Sequence, residues 1–453
     1  MRRNTIKVIL AIGDYAVMIA AMSVMLLYRY GLAQFTGRFE QHIYTLSAIF
    51  FLWLISFYVL EMYNINAPFA HRKFSVAMFA NVAIAITVLY LFLDLVEITP
   101  RRNLAILVVV FIPLFYLWRY VFTKIIDNLS IAKSVAIIGS DRYAIEMAQE
   151  IEKQKRQGFR VVAIVKDEDK PVPQWVDEST IRVFDNVTAF KECVPTLRVD
   201  TVIVSDSWYS SLYAQLYELI PMRIQFFQLT SFWERFLECI PIYSTQESWF
   251  LENLNRGPGR GYNWIKRIVD VVVVVVFLPI ILAVSALTAA LVRLSSPGPI
   301  LFSQTRVGRN EQHYTIYKFR SMYTNAERNG AQWASERDPR ITPIGRFLRA
   351  TRLDEIPQLF NVLIGDMSII GPRPERPEFV NQLAKEIPHY HLRHLVRPGL
   401  TGWAQVRYRY GASTEDSAVK LTYDLYYVKN ISFVLDIKIA LKTIMTILGR
   451  QGR

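Results

Sequence analysis

The sequence predicts a membrane protein in three parts. A membrane α-helical N-terminal region comes first, an α/β domain with a parallel sheet follows, and a mainly α C-terminal domain is entered through one further membrane helix. Three observations carry this. Four apolar runs crowd the first 127 residues, short strands alternate with charged helices between 131 and 250, and a fifth apolar run at 268–292 precedes a stretch dense in arginines, acids and prolines. Composition agrees: 453 residues, 52% hydrophobic, are too apolar for an ordinary soluble enzyme and long enough for two or three domains.

The N-terminal runs lie near 6–28, 43–62, 75–95 and 104–123. Each is close to the ~20 residues a helix needs to cross a bilayer, which makes buried core helices the weaker reading. Short polar turns would join them into a four-helix transmembrane region over 1–127. Four crossings return the chain to its starting side. Arg2, Arg3, Lys7, Arg72, Lys73 and Lys124 then face the cytoplasm, as the positive-inside tendency prefers, while Arg101 and Arg102 fall on the opposite side. The start, "MRRNTIKVILAIGDYAVMIAAMSVMLLY", begins like a signal peptide. Its apolar run is too long and lacks a clean cleavage site, so it reads as a retained anchor. Cys193 and Cys239 are too few for a disulfide framework and fit a reduced, cytosol-facing setting. The net charge of +13 points to anionic lipid or phosphorylated substrates rather than nucleic acid, for which no aromatic-plus-glycine signature is present.

From Ser134 the pattern changes. "SVAIIGS" reads as a strand, "DRYAIEMAQEIEKQKRQG" as a charged helix, and "FRVVAIVKD" and "VDTVIVSDS" as further strands. This alternation predicts a parallel layer of Rossmann type over 131–250. Gly139 alone is not a dinucleotide fingerprint, so a regulatory or assembly role is preferred over bound NAD. "KDEDK" (166–170) imitates an acidic metal motif but follows a strand between lysines, as a solvated turn does. "RGPGRGYNWIKR" closes a basic linker, 251–267. The run that follows, 268–292, can span a bilayer by length. Pro279 in its middle removes a helical hydrogen bond, so the segment 268–295 is read as a re-entrant membrane helix broken at Pro279, with a kinked span as the alternative.

After Lys266 come "KRIVD", "SSPGPILFSQTRVGRN", "YKFRSM", "DPRITPIGRFLRATRLDEIPQLFNVLIGDMSIIGPRPE", "HLVRPGLTGWAQV" and "YDLYYVKNIS". Moving a phosphoryl group between phosphates needs diphosphate charge screened, by arginines and usually by Mg²⁺ on carboxylates. Arg320, Arg346, Arg349, Arg352, Arg373 and Arg397 are candidates, with ordinary surface charges among them. Around the adjacent acids Asp354 and Glu355, the residues Leu353, Ile356, Leu359, Phe360 and Leu363 are spaced as the buried face of a helix. Asp354 then reads as its N-cap, with Pro357 in the first turn, and free backbone donors would face a phosphate there. A plain capping carboxylate beside an exposed neighbour accounts for the same residues. "HYHLRH" (His389, His391, His394) has irregular spacing and no nearby cysteine, so a basic membrane-facing helix is preferred over zinc. "FVLDIKIALKTIMTILGR" reads as an amphipathic helix lying on the bilayer.

Taken together, these motifs resemble the bacterial sugar transferase family, the monotopic phosphoglycosyl transferases or polyprenyl-phosphate hexose-1-phosphate transferases, over residues 262–453. The whole chain is similar to the family's long form, with a Rossmann-like (CoA-binding-like) domain at 131–250 and a catalytic domain at 296–453. The resemblance implies that Asp354 attacks the sugar-bearing phosphate and Glu355 helps hold Mg²⁺. UMP leaves first, and undecaprenyl phosphate then takes the phosphosugar from the covalent intermediate. It implies a UDP-hexose donor, with glucose and galactose leading, and initiation of exopolysaccharide, capsule or O-antigen repeat units. Arg349, Arg373 of "GPRPE" and Arg409 match phosphate-binding arginines; Arg320 and Arg397 are further substrate-binding candidates, and Asp424 of "YDLYYVKN" a polar one. Many relatives read Asn-Gly-Arg after Ala-Gln-Val, where this chain has Arg407, Tyr408 and Arg409. The implied setting is the bacterial inner membrane, with the catalytic domain cytoplasmic and the chain a homo-oligomer, a dimer through the middle domain being the first candidate.

Two rivals remain. A membrane-bound NAD-dependent nucleotide-sugar dehydratase or epimerase can share the front of the chain but needs a glycine fingerprint in the C-terminal half, which the sequence lacks. A non-enzymatic scaffold or transporter leaves the acid pair and its arginines unexplained.

Overall fold

The computed structural model describes residues 3–59, 62–63, 100–128, 133–153, 158–166, 176, 180–206, 213–254, 259–324, 326, 338–408, 411 and 413–448. The apolar run at 75–95, the "KDEDK" turn beyond Lys166, and Arg409 lie outside them.

Two long helices form the described N-terminal region, α1 (Arg3–Val59) and α2 (Pro100–Asn128). The polar segment expected as a turn after residue 28 is helical instead, except at Gly31, whose φ of 71° interrupts α1. Only glycine takes that conformation cheaply. Among the described residues three helices are long and apolar enough to cross a membrane: Ile6–Tyr44, Ala105–Ile125 and Gly261–Ser295. A buried ion pair locks α1 to α2. Arg119 donates to Asp14 at 2.5 Å and to the Met62 carbonyl at 2.8 Å, and Trp118 donates to the other Asp14 oxygen at 3.0 Å. Charges this deep in apolar surroundings persist only when paired and hydrogen-bonded.

The middle domain forms as the alternation predicts. Its strands β1 (Lys133–Ile138), β2 (Phe159–Val165), β3 (Arg182–Phe184), β4 (Thr201–Val204) and β5 (Gln225–Gln228) make one sheet of order β3-β2-β1-β4-β5. β1 pairs in parallel with β2, and β2 with β3. The inner strands are nearly continuous apolar runs because a sheet covered by helices is buried on both faces. One such helix, α3 (Arg142–Lys153), turns Ala144, Met147, Ala148 and Ile151 inward at helical spacing.

The chain divides into two compact units, residues 1–202 with 218–225, and residues 203–217 with 226–453. The second unit begins well before the linker expected at 251. Its largest core joins Ile240, Ile242, Trp249 and Phe250 to Leu383, Trp403, Leu425 and Ile439. Ion pairs reinforce that join, Glu234 to Lys429 and Glu238 to Lys438, each at 2.7 Å.

Helix α4 (Arg260–Ser295) runs without interruption through Pro279. The break expected there is absent as an interruption of the helix. A proline's φ is already helical, and its missing N–H costs one bond in a segment otherwise fully bonded. At ~1.5 Å per residue the helix is about 54 Å long, beyond the ~30 Å of a hydrocarbon core. A hairpin follows, β6 (Leu301–Val307) antiparallel to β7 (His313–Phe319), with Arg306 opposite Tyr314 and Phe302 opposite Lys318. Alternation puts Tyr314, Ile316 and Lys318 on one face of β7.

Two short strands, β8 (Ser368–Ile370) and β9 (Gly399–Thr401), pair in parallel and bring Gly371 against Gly399. A Cβ on either would overlap the other's surrounding backbone, so the chain crosses here only with glycine. Gly399→Ala is expected to cost about 3 kcal/mol or more, seen as a lower thermal unfolding midpoint, because backbone rather than a movable side chain must give way. The C-terminal helix α5 (Phe433–Leu448) carries apolar side chains on two faces, with Leu435 and Ile439 buried and Phe433, Val434, Ile437 and Ile444 exposed. The "HYHLRH" segment is not a basic membrane-facing helix. It is a 3₁₀ turn that packs Tyr390, Arg393 and His394 inward, and burial pushes the His394 imidazole down to about 3.

Candidate active site

The acid pair sits between two short helices. The first, α6 (Pro343–Thr351), starts with Thr342, whose hydroxyl accepts the Gly345 N–H at 2.9 Å, and ends where Arg352 turns left-handed at φ 62°. Leu353–Glu355 then form one 3₁₀ turn, and α7 (Gln358–Ile364) begins after Pro357. Asp354 is therefore not the N-cap of one long helix, as expected; Pro357 holds the N-cap position. The reason is local: the left-handed Arg352 stops α6, and Pro357 has no N–H to continue a helical ladder through the acids. The apolar face read as one stripe divides accordingly. Leu353 and Ile356 pack with Val292, Phe319 and Leu348, and Leu359 and Leu363 pack with Val274, Ile316 and Met367. Phe360 is exposed.

Both acids are buried in a cationic surround. Arg373 donates to Glu355 Oε1 at 2.6 Å, Lys318 Nζ lies 3.6 Å from the same oxygen, and Arg352 reaches Oε2 at 3.5 Å. Burial pushes the Glu355 carboxyl upward, but Arg373, Lys318 and Arg352 outweigh it and hold it well below the usual carboxylate range. Asp354 behaves oppositely. Burial first, then the adjacent Glu355 charge, pushes its carboxyl up to about 6 against the pull of Lys318, Arg349 and Arg373. Its Oδ1 is buried without a hydrogen-bond partner among the described residues. Two adjacent carboxyls pushed apart in this way assign different roles to identical groups. Glu355 is a fixed anion that organises cations. Asp354 is a desolvated carboxyl whose Oδ1 has no partner among the described residues.

Of the residues expected at the site, Asp354, Glu355, Arg349 and Arg373 come together. Arg320 does not. Its guanidinium is buried and donates to the carbonyls of Ser296 and Pro297 at 2.6 and 2.8 Å, closing the C-terminal end of α4. The end of any helix leaves carbonyls that need such donors. Asp424 is likewise internal, 1% exposed, and pairs with Arg393 at 2.7 Å; burial, opposed by Arg393, pushes its carboxyl up to about 6. Arg393 in turn donates to the Arg373 carbonyl at 2.9 Å, which links Asp424 to the Arg373 backbone. Arg397 lines a separate pocket beside the start of α4. Lys318 and Arg393 were missed, although the first stands in the quoted "YKFRSM" and strand alternation puts it on the face of buried Ile316.

The residues fit a divalent cation of the magnesium type. Glu355 Oε2 has only a long contact to Arg352 and Asp354 Oδ1 has none, and Mg²⁺ is usually held by one or two carboxylates together with phosphate oxygens.

The family described as bacterial sugar transferase matches residues 261–450, and one described as CoA-binding domain matches residues 58–220. A UDP-N-acetylgalactosamine-undecaprenyl-phosphate N-acetylgalactosaminephosphotransferase of Aeromonas hydrophila is 43% identical over 254 residues, 52% of this chain and 60% of its own length. An undecaprenyl-phosphate glucose phosphotransferase of Komagataeibacter xylinus is 33% identical over 333 residues, 69% of this chain and 59% of its own. A UDP-glucose:undecaprenyl-phosphate glucose-1-phosphate transferase of Escherichia coli K12 is 34% identical over 329 residues, 69% of this chain and 67% of its own. The match thus spans about three fifths of the first two relatives. With about a third of the residues identical to the Escherichia coli protein over two thirds of both chains, and the bacterial sugar transferase match over 261–450, the chain belongs to the bacterial sugar transferase family.

Proposed function

We propose that this protein transfers a sugar 1-phosphate from a UDP-linked sugar to undecaprenyl phosphate in two half-reactions centred on Asp354. The observation that carries the reading is the buried Asp354 carboxyl, unpartnered at Oδ1 and set beside the anchored anion Glu355. In the first step an Asp354 oxygen attacks the sugar-bearing phosphorus, and the phosphoanhydride bond breaks with its electron pair leaving on UMP. In the second, an oxygen of the lipid phosphate attacks the same phosphorus, and Asp354 leaves as the free carboxylate. This is covalent catalysis with ping-pong kinetics. Lys318, Arg349 and Arg373 supply positive charge where the diphosphate oxygens gather. Glu355 orients Arg373 and Lys318 and would help hold a Mg²⁺ ion, which would supply charge to offset that of the diphosphate. The catalytic face is read as cytosolic, where nucleotide sugars are made, in the bacterial inner membrane. Relatives are named for both glucose and N-acetylgalactosamine, so both donors stand first.

The test is a donor screen on the purified protein that reports UMP release. Asp354 must be ionised to attack, and burial with the neighbouring Glu355 charge pushes its carboxyl up to about 6. The donor half-reaction, run without acceptor, is expected to fall about tenfold per pH unit below that value and to level off above it. Omitting the acceptor matters because a phosphate monoester titrates near the same pH. No UMP from any UDP-sugar, or a flat profile between pH 5 and 8, counts against the assignment.

A further inference from the structure

Away from the acid pair, the start of α4 and the loop before β9 enclose an open pocket of about 390 Å³, mouth included, lined in part by Lys266, Asp270, Arg309, Ser368, Arg397 and Tyr427. Its lining carries three cations, Lys266, Arg309 and Arg397, against one carboxylate, Asp270. Lys266 is held by Asp436 at 2.6 Å, and Asp270 accepts the Ile369 N–H at 3.1 Å. Among the described residues neither Arg309 nor Arg397 has a carboxylate within ion-pair distance. Arg397 is half-buried, and burial together with the charges of Arg267 and Arg309 pulls its guanidinium below its ordinary value, against the opposing charge of Asp270. Like charges gathered around a cavity repel until an anion enters. Arg309 is exposed on the tight turn between β6 and β7, where Asn310 and Glu311 are left-handed at φ 53° and 61°, as a hairpin turn requires.

The pocket opens beside an apolar face. Trp264, Ile265 and Ile268 of α4 and Phe433, Val434 and Ile437 of α5 are exposed, and the Tyr262 and Phe433 rings lie 4.7 Å apart. Apolar side chains continuous with a helix of membrane-crossing length belong at a bilayer surface. We propose that this pocket is a second anion site, separate from Asp354 and Glu355, which takes the phosphate of a membrane-anchored lipid on Arg309 and Arg397. The lipid chains then lie along the apolar face. An anionic phospholipid and a polyprenyl phosphate share this chemistry; only the second rests on the transferase reading.

The experiment compares the wild-type protein with Arg309→Gln/Arg397→Gln in a neutral detergent and reads the thermal unfolding midpoint. The added probes are short-chain phosphatidylglycerol, farnesyl phosphate and inorganic phosphate. Anions bound at the acid pair affect both proteins and cancel. The wild type is expected to gain about 2–5 °C with one or both lipids at saturating concentration, and the double variant a third of that or less. Arg397→Lys, which keeps the charge, retains most of the gain. The larger response of the two lipids identifies the source. Equal gains in wild type and double variant, no gain in either, or a gain from inorganic phosphate matching that from lipid overturns the proposal. UMP release by the wild type is scored separately, so failure of the transferase reading leaves the phospholipid result standing.

Discussion

Asp354→Asn is expected to abolish UMP release, by roughly 10⁴-fold or more, while leaving the folded protein as stable as the wild type or more so. The loss follows from removing the attacking oxygen's charge, since nucleophiles that work as a unit with their surroundings are not replaced by neighbours. The stability follows from linkage. A folded carboxyl raised to about 6 binds its proton more tightly than the unfolded chain does. Stability is therefore full below the unfolded value near 4 and declines as pH rises toward 6. Above that, the ionised acid costs at most about 3 kcal/mol. An amide at this position removes that cost. The check is a pair of measurements at pH 8: trapping of a sugar phosphate on the denatured protein, and the thermal midpoint. A variant that still acquires the covalent label overturns the role of Asp354.

Arg373→Met acts on the other acid and should fail differently. Glu355 would keep only Lys318 at 3.6 Å and Arg352 at 3.5 Å, having lost its contact at 2.6 Å. Breaking a buried pair typically costs ~3–5 kcal/mol, because one charge stays behind without compensation. Here the cost is about 2–3 kcal/mol, since the Arg373 side chain is 36% exposed and two cations remain. Chemical denaturation measures it. The double variant Arg373→Met/Glu355→Gln should regain much of that stability, because the stranded charge is gone, yet recover no UMP release. Strict additivity of the two single changes would refute the coupling drawn between them.

Much of this architecture was legible in the residues. The alternation from Ser134 predicted a parallel sheet because strand and helix periods differ in any sequence, and burial on both faces of the sheet leaves unbroken runs such as "SVAII". The acid pair was legible as chemistry but not as shape. Nothing in the apolar spacing around Leu353 and Leu363 reveals that Arg352 turns left-handed and divides the segment into two helices. Arginines were the least legible. Arg320, Arg349, Arg373 and Arg397 carry the same charge, yet one closes a helix end, two flank the acids and one lines another pocket. Their partners are carbonyls and carboxylates distant in the chain, which local pattern does not encode. Asp424 shows the same limit in reverse, since its link to the site passes through Arg393 and the Arg373 backbone.

The long helix α4 touches this chemistry at several heights. Arg267 donates to the last carbonyls of α7, Val274 packs under that helix, and Val292 packs under Leu348 of α6. It therefore works as a ruler laid along the membrane normal or across it, with the two acids read off against its divisions. One residue added between Val274 and Val292 would turn one mark by about 100° relative to the other. The helices on either side of Asp354 and Glu355 would then be referred to two different scales. The spacing of two buried valines is, in this protein, a dimension of the active site.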